Sequence, residues 1–252
     1  MKRLLRHLLL TALLATAATA QPKNLVLILA DDLGWADVTL YGKTTLYETP
    51  NIQRLADRGM VFTNAYSNPI CSPTRASIIS GQNAARHGMT QPAGHLAEAR
   101  LNAEETDRGR PEQKCTNVRS ATRIDPAMPT LGTVLKKAGY ATAHFGKWHL
   151  GKPPYSPLEF GFENDLPHWH GPGPKTSYLA PWGYENPDFK EGKPGEHIED
   201  RMAQEAVAWL KQRDKTTPFF MNYWQFSVHG PFVAKPGPVS YTHLTLPTNT
   251  VT

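Results

Sequence analysis

Seven side chains in this 252-residue sequence have types and neighbours suited to chemistry: Asp31, Asp32, Cys71, Arg75, Lys147, His149 and His229. Asp31 and Asp32 directly follow the apolar run NLVLILA. Adjacent carboxylates repel each other unless a cation offsets their charge, and oxygen ligands suit calcium, with magnesium as the alternative. Taken alone the pair reads equally well as a polar turn with a helix cap. Asp37, close by, is expected to be solvated. Cys71 sits in ICSPTRASIISG, where Pro73 suits a first helical turn and Arg75 lies one turn on. A helix N-terminus attracts anions and depresses a thiol pKa, yet a buried cysteine beside an unrelated ion pair would show the same letters. In GKWHLG (146–151), Lys147 and His149 share one side of an extended segment, and Trp148 points the other way, toward a core. Beside a carboxylate-bound cation and an arginine they would form an anion cradle; on their own they are ordinary solvated charge. His229, in SVHGP, is by itself a common loop histidine.

The elements that must carry these groups follow from periodicity. The run 24–30 is apolar and branched throughout, which predicts a strand covered on both faces in a parallel sheet. Residues 49–59 predict a helix, with Thr49 or Asn51 near its cap and Gly59 as its stop. A strand is expected over 60–66. Residues 82–129, polar and irregular, are expected to form a long surface excursion contributing little core. A helix over 130–139, a strand over 140–145, a helix over 197–213 with Met202, Ala206 and Leu210 on one face, and a strand over 218–226 complete the pattern. Such alternation argues for a mixed α/β fold with a largely parallel sheet flanked by helices. Ligands in these folds bind at the carboxyl ends of the strands, where Asp31, Asp32, Cys71, His149 and His229 can converge. The Pro-, Gly- and aromatic-rich stretch 153–194 is expected to shape a pocket wall, with Trp169, His170, Tyr178 and Trp182 either stacking on a ligand or packing inward.

Residues 1–20 combine a basic start, a short apolar run and a small-residue ATA, the pattern of an export signal, with an uncleaved anchor as the alternative. The protein is therefore expected to be exported, periplasmic or secreted. The formal charge of +5 falls to +2 once Lys2, Arg3 and Arg6 are set aside, so a nucleic-acid partner has little support. Two cysteines in an exported chain make a Cys71–Cys115 disulfide the expectation from count alone. Residues 21–238 suffice for one core. The Thr-rich 239–252 is expected to be a non-native tail.

Together these residues resemble the sulfatases whose catalytic residue is a formylglycine made from cysteine. The maturation motif Cys-x-Pro-x-Arg is similar to Cys71-Ser72-Pro73-Thr74-Arg75, and a second signature is similar to GYATAHFGKWHLG (139–151). The likeness extends from NLVLILADDLGWADV to SVHGPF. It implies an alkaline-phosphatase-like domain and a formylglycine-generating maturation enzyme as partner. It also implies hydrolysis of a small-molecule or glycan sulfate ester, in which one hydroxyl of the hydrated aldehyde attacks sulfur and the second expels sulfate. By the same resemblance Asp31, Asp32 and the converted Cys71 bind calcium, and Arg75 holds the nucleophile. Lys147 and His149 bind the sulfate or orient the nucleophile, and His229 protonates the leaving oxygen.

Phe145 and Ser80 depart mildly from the family pattern. A further acidic residue paired with an Asn or His, and usually another lysine, which the family places beyond the His229 motif, are missing, so the chain is expected to be the N-terminal part of a longer catalytic domain. A phosphonate monoester or phosphodiester hydrolase of the same superfamily is the alternative activity, and a non-catalytic binder of sulfated glycans the alternative class.

Overall fold

The structure, a computed structural model, describes residues 22–106, 109, 111–116 and 118–233. The expected export signal (1–20) and the stretch 239–252 lie outside the described residues. The elements, in chain order, are β1 (Leu25–Leu29), α1 (Pro50–Ala56), α2 (Cys71–Ser80), α3 (Ala84–His87), α4 (Leu131–Lys137), β2 (Ala141–Gly146), β3 (Asn164–Leu166), α5 (Ile198–Gln212) and β4 (Phe219–Trp224).

The local signals act at the element ends. Thr130 caps α4 by accepting from the Thr133 amide at 3.3 Å. The Nδ1 of His197 accepts from the Glu199 amide at the start of α5. Helix α2 ends where Gly81 turns left-handed and its amide reaches the Ser77 carbonyl at 2.8 Å.

The four strands form one parallel sheet in the order β1-β4-β2-β3. Alternate residues of β4 serve opposite faces. Phe219 and Met221 join Ala143, Phe145, and Ile198, Met202 and Ala206 of α5 in one cluster. Phe220 and Trp224 join Ala76 and Ile79 of α2, Trp148, Phe160 and Phe162 in the other. Helices thus cover both faces, as the α/β reading expected, and Trp148 is core.

Four expectations need correction. Among the described residues strand β1 pairs with β4 alone, and Val26 and Ile28 are exposed on it rather than covered on both faces. No strand forms over 60–66, where Met60, Phe62 and Tyr66 are exposed; β-propensity without a pairing neighbour does not make a strand. The excursion 82–129 does supply core: Met89, Ala121 and Ile124 are fully buried, and Arg123 is buried with them. Cys71 and Cys115 are both free thiols, so the disulfide suggested by cysteine count is absent.

Candidate active site

The carboxyl ends of β1, β2 and β4 are tied by backbone hydrogen bonds that continue past the strands. The Asp31 amide donates to the Ser227 carbonyl at 2.8 Å, Gln225 N to Leu29 O at 2.9 Å, and Lys147 N to Trp224 O at 2.8 Å. Gly146 makes the last of these possible. Its φ is +102°, and a Cβ there would lie 1.8 Å from the Trp224 carbonyl oxygen. The chain beyond each strand is therefore brought to one rim.

Asp31 is buried between two cations. Its Oδ1 accepts from Arg75 Nη2 at 2.8 Å, and its Oδ2 pairs with Lys147 Nζ. Arg75 also donates to the Lys147 carbonyl at 2.7 Å and lies 5.0 Å over the Trp224 ring. One carboxylate faces two buried positive charges, so this set carries a net positive charge of its own. Burial, then Arg75, push the Lys147 pKa down, while Asp31 and Cys71 hold it up.

Cys71 occupies the first turn of α2, and its Sγ lies 3.3 Å from His149 Nδ1. The neighbouring Ser72 hydroxyl donates to the His149 carbonyl at 2.8 Å, fixing the helix start against the 147–149 segment. His149 is fully buried at φ +55°, a left-handed conformation uncommon for a residue with a side chain. Burial, then the charges of Lys147, His95, Arg75 and His229, push its pKa down to about 2. It is a neutral imidazole at any physiological pH.

Asp32, also left-handed at φ +59°, projects an exposed carboxylate whose Oδ2 is 3.8 Å from His229 Nε2. His229 Nδ1 lies 2.6 Å from the Gly230 carbonyl oxygen, which can only accept, so Nδ1 carries the proton. Asp31, Asp32 and His229 offer ligand atoms all within 4.8 Å of one another. Two carboxylates and an imidazole nitrogen at this range fit a divalent cation, and the carboxylates favour a hard one. Cys71 does not join that cluster; it meets the site through His149.

All seven sequence-selected residues thus stand at one rim, linked as Arg75–Asp31–Lys147, Cys71–His149 and Asp32–His229. Asp37 is half-buried and caps the turn 35–37 by accepting from the Gly34 amide at 3.0 Å. Tyr178 and Trp182 pack inward, whereas Trp169 and His170 remain partly open. Several supporting contacts carry no sequence signal. The Tyr178 hydroxyl lies 2.6 Å from the Phe226 carbonyl and 2.7 Å from that of His229, and Glu199 Oε1 accepts from the Phe226 and Ser227 amides at 2.8 Å each. Between them they hold the loop that carries His229. His95 Nδ1 contacts His149 Nε2 at 2.8 Å; it comes from a polar stretch that nothing in its spacing marks.

A sulfatase family model matches residues 23–251. The chain belongs to the sulfatase family. Among its relatives, human N-acetylgalactosamine-6-sulfatase is 33% identical over 240 residues, covering 88% of this chain and 43% of the relative. Human arylsulfatase A is 36% identical over 174 residues, covering 66% of this chain and 29% of the relative. The chain therefore spans less than half the length of these relatives. Among solved structures, BT4656 in complex with its substrate D-glucosamine-2-N,6-O-disulfate aligns with a TM-score of 0.62 at 27% identity, covering 85% of this chain and 36% of that one. Ps i-CgsB in complex with k-i-k-neocarrahexaose aligns with a TM-score of 0.63 at 26% identity, covering 85% and 47%.

Proposed function

We propose that the protein hydrolyses sulfate esters at this rim, with Cys71 converted to formylglycine by a maturation enzyme and calcium held by Asp31 and Asp32. The observation that carries the reading is the buried Arg75–Asp31–Lys147 set, with its net positive charge, beside a family-type Cys-x-Pro-x-Arg helix start. Formylglycine would supply the oxygen nucleophile, which a thiol or a serine could not regenerate by the same route. A calcium ion would neutralise charge on the sulfate oxygens.

This chain's own residues account for the rest. Arg75, pinned by Asp31 and the Lys147 carbonyl, holds the helix start against the carboxylates. Lys147 is a buried ammonium whose attraction for an anion is little screened by solvent. His149, neutral by virtue of burial, accepts or donates a hydrogen bond at position 71 without adding charge. His229 has its Nδ1 proton engaged, which leaves Nε2 to hold the proton passed to the leaving oxygen; nitrogen is a poorer ligand than carboxylate for a hard cation. The names of the relatives and the ligand of BT4656 support a sulfated glycan as substrate class. The N-terminal pattern supports export to the periplasm or beyond.

Mass spectrometry of the peptide containing Cys71, from protein made with a maturation enzyme, tests the first step: the aldehyde is expected. Turnover of an aryl sulfate should exceed that of an aryl phosphodiester. Cys71→Ala should abolish turnover, and Cys115→Ala, at an exposed free thiol, should not. An unmodified thiol in the maturing host, or equal losses in the two variants, would refute the reading.

A further inference from the structure

His95 sits on a segment that the structure fastens unusually tightly for a surface loop. Arg123, buried behind it, donates from Nη1 to the Gly94 carbonyl at 3.1 Å and from Nη2 to the Leu96 carbonyl at 2.6 Å, clamping the residues on either side. Gly94 lies so close to the chain at His149 that a Cβ would fall 1.8 Å from the His149 carbonyl oxygen. The two imidazoles stack with centroids 5.1 Å apart at 29°. Only one proton can occupy the 2.8 Å gap between His95 Nδ1 and His149 Nε2.

Which nitrogen carries it decides what His149 shows to position 71. If His95 donates, His149 must carry its own proton on Nδ1 and aim it at the Cys71 sulfur, a weak acceptor. If His95 accepts, every donor is used in one direction: Cys71 S–H to His149 Nδ1, His149 Nε2–H to His95 Nδ1. We infer that His95 is a positioning residue that accepts the Nε2 proton of His149, and so fixes the tautomer whose unprotonated Nδ1 faces the side chain at position 71. The inference deepens the sulfatase reading and rests on it for its meaning in turnover. Its geometry concerns the thiol form of this chain, so it can be tested without turnover.

The full chain is made without a maturation enzyme, so that Cys71 stays a thiol. Long-range proton–nitrogen spectra of the imidazoles should show His149 protonated on Nε2. His95→Phe keeps a ring for stacking but has no nitrogen, whereas His95→Asn keeps an acceptor oxygen near the place of Nδ1. His95→Phe should lose the single tautomer and slow iodoacetamide alkylation of Cys71, read by peptide mapping, by about fivefold, the scale of one neutral hydrogen bond. His95→Asn should restore most of the rate. In matured protein, His95→Phe should lower kcat with KM little altered. A wild-type His149 protonated on Nδ1, or Phe and Asn variants that behave alike, would overturn the assignment. If the tautomer and alkylation pattern hold while matured protein cleaves no sulfate ester, the hydrolase reading fails and the His95 assignment stands.

Discussion

The buried set Arg75–Asp31–Lys147 makes an ordered prediction, because its three members are not equivalent. Replacing Arg75 by Met leaves Asp31 paired with Lys147, one charge against one. It removes the two Nη hydrogen bonds and the contact with Trp224. Replacing Asp31 by Asn leaves two cations in the same buried space with no counter-charge. Breaking a buried pair costs about 3–5 kcal/mol. Arg75→Met should fall at the lower end, about 3 kcal/mol, since a balanced pair survives it. Asp31→Asn should reach about 5 kcal/mol, a large share of the stability of an ordinary domain. The double variant Asp31→Asn/Lys147→Met removes one of the stranded cations and should be more stable than Asp31→Asn alone by about 2 kcal/mol, well outside the error of additive behaviour. Trp148 and Trp224 are stacked at 5.8 Å in the adjoining core, so equilibrium urea unfolding followed by tryptophan fluorescence reads the transition directly. Chelator should be present throughout, so that loss of a bound cation is not counted as loss of the carboxylate. If Asp31→Asn is no worse than Arg75→Met, or the double variant is additive, then Asp31 is not the counter-charge that holds the two cations together.

His144 gives a pH dependence of definite sign. It is fully buried, accepts from Asn222 Nδ2 at 3.0 Å, and is pushed down to about 3 by burial and by Arg75. The unfolded imidazole titrates near its ordinary 6.5, so stability from the neutral ring is complete above that value. It is lost as pH falls toward 3, at up to about 1.4 kcal/mol per pH unit. His144→Gln should therefore show a shallower loss of urea stability between pH 7.5 and 5 than the wild type; parallel curves would place the proton uptake elsewhere. Gly146→Ala should cost about 3 kcal/mol or more, because its Cβ meets the Trp224 carbonyl and its φ is left-handed. It should also weaken the Cys71–His149 contact, seen as a change in the alkylation rate of Cys71, and a near-neutral result would show that β2 and β4 part easily at this end.

The candidate site was more legible than the surface because its residue types and spacing suit a recognisable chemistry, while much of the fold depends on partners that the local sequence does not name. Asp31, Arg75 and Lys147 are each far apart in the chain, yet the end of β1, the first turns of α2 and the end of β2 follow from apolar runs and a Pro near a helix start, and those ends meet at one rim. The reading of 24–30 as a strand of a parallel sheet holds, and its cover on both faces does not hold among the described residues. An all-apolar run says that both faces could be covered, but the sheet order, which leaves β1 beside β4 alone, is decided by pairing over a sequence separation of nearly two hundred residues. The same limit explains 60–66, whose apolar residues match a strand and find none to pair with among the described residues. Residues 82–129 failed in the opposite sense. Their polar composition suggested surface, but Arg123 and Thr122 are buried because carbonyls of the same excursion receive hydrogen bonds from them, so polarity there marks groups bonded within the excursion and not exposure. His95 lies on that network. Its position against His149 comes from the Arg123 clamp and the missing side chain of Gly94, two features that only the folded chain brings together.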